Sequence, residues 1–247
     1  MDKQHEPIPP NTLQVHPAGS PRELAQQLAR HIARRLREAI TSRGHAVLAV
    51  SGGKSPVALF EQLRDQTLDW SRVTVLLVDE RCVPHTHADS NTALVRTHLL
   101  QGPAAAASFV PFFDTLPATL DDAALEALAD QANTRLAAQP WPLDVAVLGM
   151  GEDGHTASLF PGAPRLAKAL NGSGPVTWLR PAEASKAPQA RLTLTLPALL
   201  ATRELALSIT GAGKLATYQQ ARLAADETLP VSLVLNQHLT PVSVWLA

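Results

Sequence analysis

Apolar residues recur at steps of four near the start of the chain, a spacing that predicts a helix with one buried face. The stripe consists of Leu24, Leu28, Ile32, Leu36 and Ile40. Ser20 can cap the first turn, and Pro21 suits the first helical position because no backbone donor is needed there. Glu23 follows the cap by three residues, and Gly44 favours a stop. The pattern therefore predicts a helix over residues 21–43.

Beyond this helix, short apolar runs alternate with helical patterns. Strands are predicted at residues 46–50, 73–78, 143–148, 191–196 and 204–210, and helices at residues 56–66, 91–100, 121–138 and 213–224. Two further apolar segments, Val231–Leu235 and Val242–Leu246, close the chain. Such alternation predicts an α/β fold, a mainly parallel sheet flanked by helices on both faces.

Two segments lack a clear pattern. Residues 1–19 hold four prolines and no periodicity, so we expect a flexible lead-in there. The Pro/Gly-rich stretch 161–190 supports no assignment. Neither an internal repeat nor a low-complexity linker divides the rest, and we expect residues 20–247 to form a single domain.

Composition narrows the function classes. The 247 residues are 45% hydrophobic and 17% charged, with 21 Lys plus Arg against 22 Asp plus Glu. This balance disfavours nucleic-acid binding, which needs a basic surface. One cysteine excludes an internal disulfide and a thiolate zinc site. Because no apolar run reaches about 18 residues and no apolar signal core opens the chain, we expect a soluble cytoplasmic protein without a membrane partner.

Four unusual clusters follow predicted strands, where ligands of parallel sheets bind. The first, residues 51–55, reads Ser-Gly-Gly-Lys-Ser before a helix, and its backbone amides could hold an anion. It lacks the spacing of nucleotide-binding loops, and a tight turn without function explains it equally well. The second, Asp79-Glu80-Arg81, offers Arg81 as a phosphate ligand; a structural ion pair is the alternative.

The other two clusters are rich in glycine. Residues 149–158 contain three glycines around Asp153 and His155, a loop that could present the imidazole to a cleft for proton transfer. Asp153 could orient the ring. Residues 210–214 place Lys214 in a first helical turn, where the helix dipole disfavours a cation unless an anion is bound. An exposed lysine at a turn explains this last cluster nearly as well.

Other chemistry is disfavoured. A metal site could be built from His85, His87, Asp89 and His98, yet the His-x-His-x-Asp segment at 85–89 lies in an apparent loop without a fixed scaffold. Cys82 lacks the partners of a nucleophile, and neither Ser51 nor Ser158 stands in a Gly-x-Ser-x-Gly elbow. The residues alone indicate a phosphorylated small molecule and a proton-transferring histidine.

Together the motifs resemble the 6-phosphogluconolactonases, in order along nearly the whole chain. The matching segments are AVSGGKSP at 49–56, VDER at 78–81 with DSN at 89–91, LGMGEDGHTASLFP at 148–161, RLTLT at 191–195 and TGxGK at 210–214. The Gly-x-Gly-x-Asp-Gly-His element is also found in glucosamine-6-phosphate deaminases. Those enzymes carry a glutamate five residues after the histidine, where this chain has Phe160.

The resemblance implies hydrolysis of 6-phospho-D-glucono-1,5-lactone by general acid/base catalysis, without metal or cofactor. It implies catalytic roles for His155, Asp153, Arg191 and Asp79, and substrate or phosphate binding by Ser51, Gly52, Gly53, Lys54, Arg81, Asn91, Gly151 and Lys214. His155 would activate a water, and either Arg191 or backbone amides would stabilise the oxyanion. We expect a monomer or weak homo-oligomer.

Two alternatives differ in class. A glucosamine-6-phosphate deaminase or sugar-phosphate isomerase would share the histidine loop, but Phe160 cannot transfer a proton as the glutamate there does. A non-catalytic sugar-phosphate sensor would be expected to lose the histidine, and this chain retains Asp153 and His155. Binding without turnover would favour the sensor.

Overall fold

The computed structural model describes residues 13–53, 55–182 and 189–247. The strands are β1 (Leu13–Pro17), β2 (Ala46–Val50), β3 (Val73–Leu77), β4 (Asp79–Arg81), β5 (Ser108–Phe109), β6 (Val145–Leu148), β7 (Val176–Leu179), β8 (Arg191–Leu194), β9 (Leu205–Ile209) and β10 (Val242–Leu246). The helices are α1 (Pro21–Arg43), α2 (Val57–Arg64), α3 (Asn91–His98), α4 (Asp122–Ala137), α5 (Leu166–Asn171), α6 (Leu196–Leu200), α7 (Ala212–Ala221) and α8 (Val231–Leu235). Short 3₁₀ helices occur at Trp70–Arg72 and Gly102–Ala106.

Seven strands form the main sheet, in the order β1-β10-β9-β6-β2-β3-β5, and every neighbouring pair is parallel. All residues of β2 and β6 are buried, which explains their uninterrupted apolar runs. The expectation of a mainly parallel α/β sheet is confirmed. Since the strands run the same way, their carboxyl ends meet at one edge.

Helix α1 begins and ends as its sequence predicts. The Glu23 backbone N–H donates to Ser20 Oγ over 3.2 Å, and the Glu23 carboxylate accepts from the Gly19 backbone N–H over 2.9 Å. At the other end Gly44 adopts φ 80° and donates its backbone N–H to the Ile40 carbonyl. The apolar stripe of α1 packs against α2 and strands β2, β6 and β10.

A second, antiparallel sheet of three strands has the order β4-β8-β7. It begins where the chain leaves β3: Val78 donates its N–H to the Val50 carbonyl, and its own carbonyl accepts from the Leu194 N–H. One residue thus joins the two sheets at the carboxyl edge of β2 and β3. The sequence pattern did not indicate this sheet, because β4 has three residues and β7 lies within the unassigned stretch 161–190.

The N-terminal expectation needs a correction. Residues 13–17, predicted to belong to a flexible lead-in, form edge strand β1 and pair with β10 in parallel register. The His16 ring stacks on Trp245, with 4.1 Å between ring centroids and 13° between planes. This packing comes from the other end of the chain, so local periodicity gave no sign of it. Residues 1–12 of that predicted segment lie outside the described residues.

The last two apolar segments of the chain form one helix and one strand. Val231–Leu235, which the pattern left without a type, is helix α8, and Val242–Leu246 is a strand. Among the described helices, none has the length and apolarity needed to cross a membrane.

Candidate active site

A cleft of about 210 Å³ opens at the carboxyl edge of the main sheet, between the loops that follow β2, β3, β6 and β9. Nine of the residues that the sequence analysis assigned to the site line it: Ser51, Gly52, Gly53, Asp79, Arg81, Asn91, Gly151, His155 and Lys214. Four sequence clusters that lie far apart along the chain therefore meet at one place. Lys54, also assigned to the site, lies outside the described residues.

His155 and Asp153 form a hydrogen-bonded pair. Nδ1 of His155 lies 2.6 Å from Asp153 Oδ1, and the His155 backbone N–H donates to the same oxygen over 3.2 Å. If Nδ1 carries the proton to Asp153, Nε2 keeps its lone pair for the cleft. The His155 side chain is 32% exposed, so the ring is open to small molecules. Burial alone would raise the pKa of Asp153, but the hydrogen bond and charge of His155 outweigh burial and lower that pKa.

The backbone of this loop is shaped to hold the pair. Gly151 donates its N–H to the His155 carbonyl, and Gly154, at φ 80°, donates to the Gly151 carbonyl. A Cβ on Gly151 would stand 2.2 Å from His155 Nδ1 and 2.3 Å from Asp153 Oδ1. The two side chains therefore lie directly over the Gly151 backbone. The His155 ring also packs against Phe160, with 4.8 Å between the two ring centroids.

Arg81 and Asn91 form a second hydrogen-bonded unit. The Arg81 guanidinium donates from Nη1 to Asn91 Oδ1 over 2.9 Å and to the Asp89 carbonyl over 2.6 Å. Asn91 Nδ2 donates to the Asp79 carbonyl over 2.7 Å. A Cβ on Gly52 would stand 1.7 Å from Asn91 Oδ1, so Gly52 leaves the space that Asn91 occupies. The first glycine turn and the Asp-Glu-Arg strand are thus in direct contact.

Arg191 lies opposite Arg81 in the pairing of β4 with β8. Its side chain is buried, and Nη1 lies 3.4 Å from Gln189 Oε1. Burial lowers the pKa of Arg191, the nearby Asp79 carboxylate opposes this, and the Arg81 charge adds to the lowering. Two cations directly across an antiparallel pair repel each other. An anion placed near both would relieve that repulsion.

Lys214 extends from the first turn of α7, beside the histidine loop. Gly211, at φ 95°, precedes the helix, and Thr217 Oγ1 donates to the Glu152 carbonyl over 2.8 Å. Because a Cβ on Gly213 would stand 2.6 Å from Glu152 Oε1, the Glu152 side chain lies against the helix start. These contacts hold α7 next to the loop that carries His155.

Asp79 is buried and accepts a hydrogen bond from Ser158 Oγ over 2.6 Å. The Ser158 backbone N–H donates to Thr193 Oγ1 over 3.2 Å. In the structure Asp79 therefore joins the histidine loop to the small sheet. Among the described residues, the hydrogen bonds of the Asp79 carboxylate run to Ser158 and Asn91, and not to the His155 ring.

Sequence reasoning missed three residues of this region. Glu80 stands in the sequence as one of three adjacent charges, yet it is fully buried. Ser158, which lies outside any nucleophile motif, donates to Asp79. Ser208 lines the cleft from β9, and a signal for it was available, because it is the one polar residue of an otherwise apolar strand near the strand's carboxyl end.

The disfavoured candidates do not converge on a site. His85 stacks on Phe113, and His98 Nδ1 lies 3.2 Å from Glu61 Oε1. Over residues 13–53, 55–182 and 189–247, no group of three or more His, Cys, Asp or Glu is arranged to hold a metal ion. Burial raises the pKa of the Cys82 thiol to about 12, which makes it a poor nucleophile.

A family model described as glucosamine-6-phosphate isomerases/6-phosphogluconolactonase matches residues 19–245. The chain belongs to this family. A 6-phosphogluconolactonase of Pseudomonas aeruginosa is 48% identical over 223 residues, which cover 90% of this chain and 91% of that protein. A 6-phosphogluconolactonase of Neisseria meningitidis is 42% identical, covering 91% of this chain and 95% of the relative.

Solved structures agree with this assignment. A 6-phosphogluconolactonase from Shewanella baltica superposes with a TM-score of 0.87 at 41% identity, covering 95% of this chain and 98% of that one. A monomeric glucosamine-6-phosphate deaminase superposes with a TM-score of 0.70 at 19% identity, covering 94% and 97% of the two chains. The deaminase likeness concerns the fold alone.

Proposed function

We propose that the protein hydrolyses 6-phospho-D-glucono-1,5-lactone to 6-phospho-D-gluconate, the second step of the oxidative pentose phosphate pathway. The observation that carries this proposal is the single cleft in which His155, hydrogen-bonded to Asp153, meets the cations Arg81 and Lys214. A proton-transferring group on one side and phosphate-binding charges on the other match the two ends of this substrate. The lactonase relatives at 42–48% identity support the choice of substrate.

The phosphate end is assigned to Arg81, Lys214, Lys54 and the amides of the Ser51–Gly53 turn. The described hydrogen bonds of Arg81 run to neutral oxygens, the Asp89 carbonyl and Asn91 Oδ1, so its full charge remains for an anion. A guanidinium can bind two phosphate oxygens at once. Holding the phosphate orients C1 of the lactone ring toward His155.

The chemical step is assigned to His155. Nε2 takes a proton from a water as the water oxygen attacks C1, and the carbonyl becomes a tetrahedral oxyanion. When the oxyanion collapses, the bond from C1 to the ring oxygen breaks and the imidazolium returns its proton to that oxygen. Asp153 stabilises the imidazolium through the 2.6 Å contact. Either Arg191 or backbone amides stabilise the oxyanion. The kcat of Arg191→Met distinguishes the two, because it falls strongly only if Arg191 has this role.

A coupled assay tests the proposal. Glucose 6-phosphate, its dehydrogenase and NADP generate the lactone, and acid release is timed with and without the protein. We expect strong acceleration by the wild type and a loss of about 10²–10⁴-fold in kcat for His155→Ala. Undiminished turnover by His155→Ala would refute the role of His155. Product binding without any turnover by the wild type would instead indicate the sensor.

The deaminase alternative is not favoured. Phe160, at the position where the sequence comparison expects a glutamate, is buried and packs on the His155 ring, and it has no proton to transfer. Incubation with glucosamine 6-phosphate, followed by an ammonia assay, is the control. Ammonia release at a rate comparable to lactone opening would reverse the assignment.

We further propose that residues 20–247, together with edge strand β1, act as one 6-phosphogluconolactonase domain, in the cytoplasm, as a monomer or weak homo-oligomer. The family match over residues 19–245 supports the domain bounds. The near-neutral net charge of −1 supports a small-molecule substrate and not a nucleic-acid partner. Sedimentation over a concentration series tests the oligomeric state, and a dimer that persists at nanomolar concentration would contradict it.

A further inference from the structure

Glu80 is a fully buried carboxylate with an unusual set of partners. Four donors reach it: the backbone N–H groups of Arg81, Asn91 and Thr92, at 2.7, 2.8 and 2.7 Å, and Ser90 Oγ at 3.2 Å. Each carboxylate oxygen accepts two of the four. A buried charge is costly unless it is satisfied in this way.

Three of the four donors belong to the start of α3, where backbone N–H groups lack partners within the helix. The Glu80 carboxylate, on the neighbouring strand β4, thus caps the first turn of α3. The helix dipole also favours a negative charge at this end of α3. The fourth donor, Arg81, lies on β4 itself. Glu80 therefore fixes α3 relative to β4.

This junction determines where Arg81 points. Asn91 is the first residue of α3, and its Oδ1 accepts from the Arg81 guanidinium over 2.9 Å. Asn91 also donates to the Asp79 carbonyl and lies against Gly52 of the first glycine turn. A shift of the α3 start would move Asn91, and with it the guanidinium that faces the cleft.

We propose that Glu80 is a positioning residue for the phosphate of the substrate: by fixing the start of α3 it lets Asn91 hold the Arg81 guanidinium in the cleft. The inference rests on the proposed function only in naming the phosphate as belonging to a sugar lactone. Glu80 does not contact the cleft and takes no part in proton transfer.

The test compares Glu80→Gln with Glu204→Gln, a second buried carboxylate bonded to His31 and Ser243 outside the cleft. An amide keeps the size of Glu80 but turns one accepting oxygen into a donor that faces two N–H or O–H groups. We expect KM for the phosphorylated lactone to rise about tenfold in Glu80→Gln, as loss of one charge-assisted contact would cause, with kcat changed less than about threefold. Glu204→Gln should change neither constant.

Calorimetric binding of inorganic phosphate separates this idea from the proposed function, since it needs no turnover. Weaker phosphate binding by Glu80→Gln supports the positioning role even for a protein that opens no lactone. Unchanged phosphate binding and KM would overturn it, and so would an equal loss in kcat without a change in KM.

Asn91→Ala provides a second route should Glu80→Gln fail to fold. It removes the side-chain link between α3 and Arg81, while Glu80 keeps all four of its donors, since the donor at position 91 is a backbone N–H. We expect the same rise in KM and the same weakening of phosphate binding. Where both single variants fold, the double variant should lose no more than either one, because both changes act through Arg81. Fully additive losses, or normal phosphate binding by Asn91→Ala, would contradict the proposal.

Discussion

At the scale of single residues, the His155–Asp153 pair depends on a position that has no side chain. Both side chains lie over Gly151, where an added Cβ would be 2.2 Å from the imidazole and 2.3 Å from the carboxylate. We expect Gly151→Ala to displace the pair and to lower kcat by about 10²-fold or more, the range of general acid–base assistance. Steady-state kinetics in the coupled lactone assay measures the effect.

Gly149→Ala is the matched control, because it adds the same methyl group to the same loop. The nearest atom to its Cβ would be Ser51 Oγ at 3.8 Å, an ordinary contact. We expect a far smaller loss of kcat. Equal losses in the two alanine variants would show that the loop tolerates no added bulk, and that the His155–Asp153 contact is not the reason.

Sequence reasoning recovered the residues whose type is itself unusual at a strand end. His155, Arg81 and Lys214 stand in glycine-rich or charged clusters, and the structure brings all three to one cleft. It did not recover Glu80, whose donors are mainly backbone N–H groups that no residue type reveals, or Ser158, whose partner is distant in the chain. Ser158 meets Asp79 across 79 positions, and no local pattern encodes that distance.

At the scale of elements, α1 shows what a cap contributes. Ser20 Oγ accepts the Glu23 backbone N–H, one of the donors that the first turn leaves without a partner. We expect Ser20→Ala to lower the free energy of unfolding by about 1 kcal/mol. Urea denaturation measures the change.

Ser42→Ala, in the same helix, is the control for the cap. Ser42 Oγ bonds back to the Glu38 carbonyl within the helix, so its removal frees no buried group. We expect no loss of stability, or a slight gain, because alanine favours the helix. A loss as large as that of Ser20→Ala would mean that the cap hydrogen bond is not what Ser20 contributes.

The stability of the contact between α1 and the sheet depends in part on pH. Glu204, buried, lies 2.6 Å from His31 Nε2 and 2.7 Å from Arg35 Nε, both on α1, and accepts from Ser243 Oγ on β10. Burial alone would raise the pKa of Glu204, but His31, Ser243 and Arg35 together lower it. The ionised carboxylate therefore stabilises the fold above its unfolded pKa of about 4.3, and this contribution is lost as the pH falls through the lower folded value.

We expect Glu204→Gln to flatten the acid side of the stability curve. Below about pH 4 the wild type should lose its advantage over the variant, whereas near pH 7 the wild type should be the more stable of the two. Thermal unfolding between pH 3 and 7, roughly the range spanned by carboxyl titration, measures both. Glu61→Gln, at the surface beside His98, is the control and should leave the curve unchanged. A constant difference between Glu204→Gln and the wild type at all pH values would contradict the argument.

Elements with a clear apolar pattern were predictable, and elements without one were not. Helix α1 follows from its apolar spacing, because one long face of it is buried. The strands β2 and β6 follow from their continuous apolar runs, because both of their faces are covered. Strands β1 and β4 have five and three residues, and each exists because a partner strand from a distant part of the chain offers hydrogen bonds. Tertiary pairing, not local propensity, decides such segments.

At the scale of the whole molecule, the cleft exists because two sheets meet at the carboxyl edge of the larger one. Val78 joins them through the backbone, and Ser158 joins them through side chains, since it extends from the histidine loop after β6 to Asp79 on β4. His155 belongs to a loop of the main sheet, and Arg81 and Arg191 belong to the small sheet. Their relative position therefore depends on this contact.

Ser158→Ala tests that dependence. Asp79 and Ser158 are both buried, so removal of the hydroxyl leaves a buried carboxylate oxygen without its donor. We expect a loss of about 1.5–3 kcal/mol in the free energy of unfolding, the range for hydrogen bonds to charged groups, together with a lower kcat/KM. Thr177→Val is the matched control: it removes a buried hydroxyl from β7 of the same small sheet, and Thr177 Oγ1 has no hydrogen-bond partner among the described residues.

In the pair Ser158→Ala and Asp79→Asn, coupling should make the double variant lose less than the sum of the single losses, because each removes the same contact. Strict additivity, or an equal effect of Thr177→Val, would show that the two sheets are held in place without the Ser158–Asp79 bond.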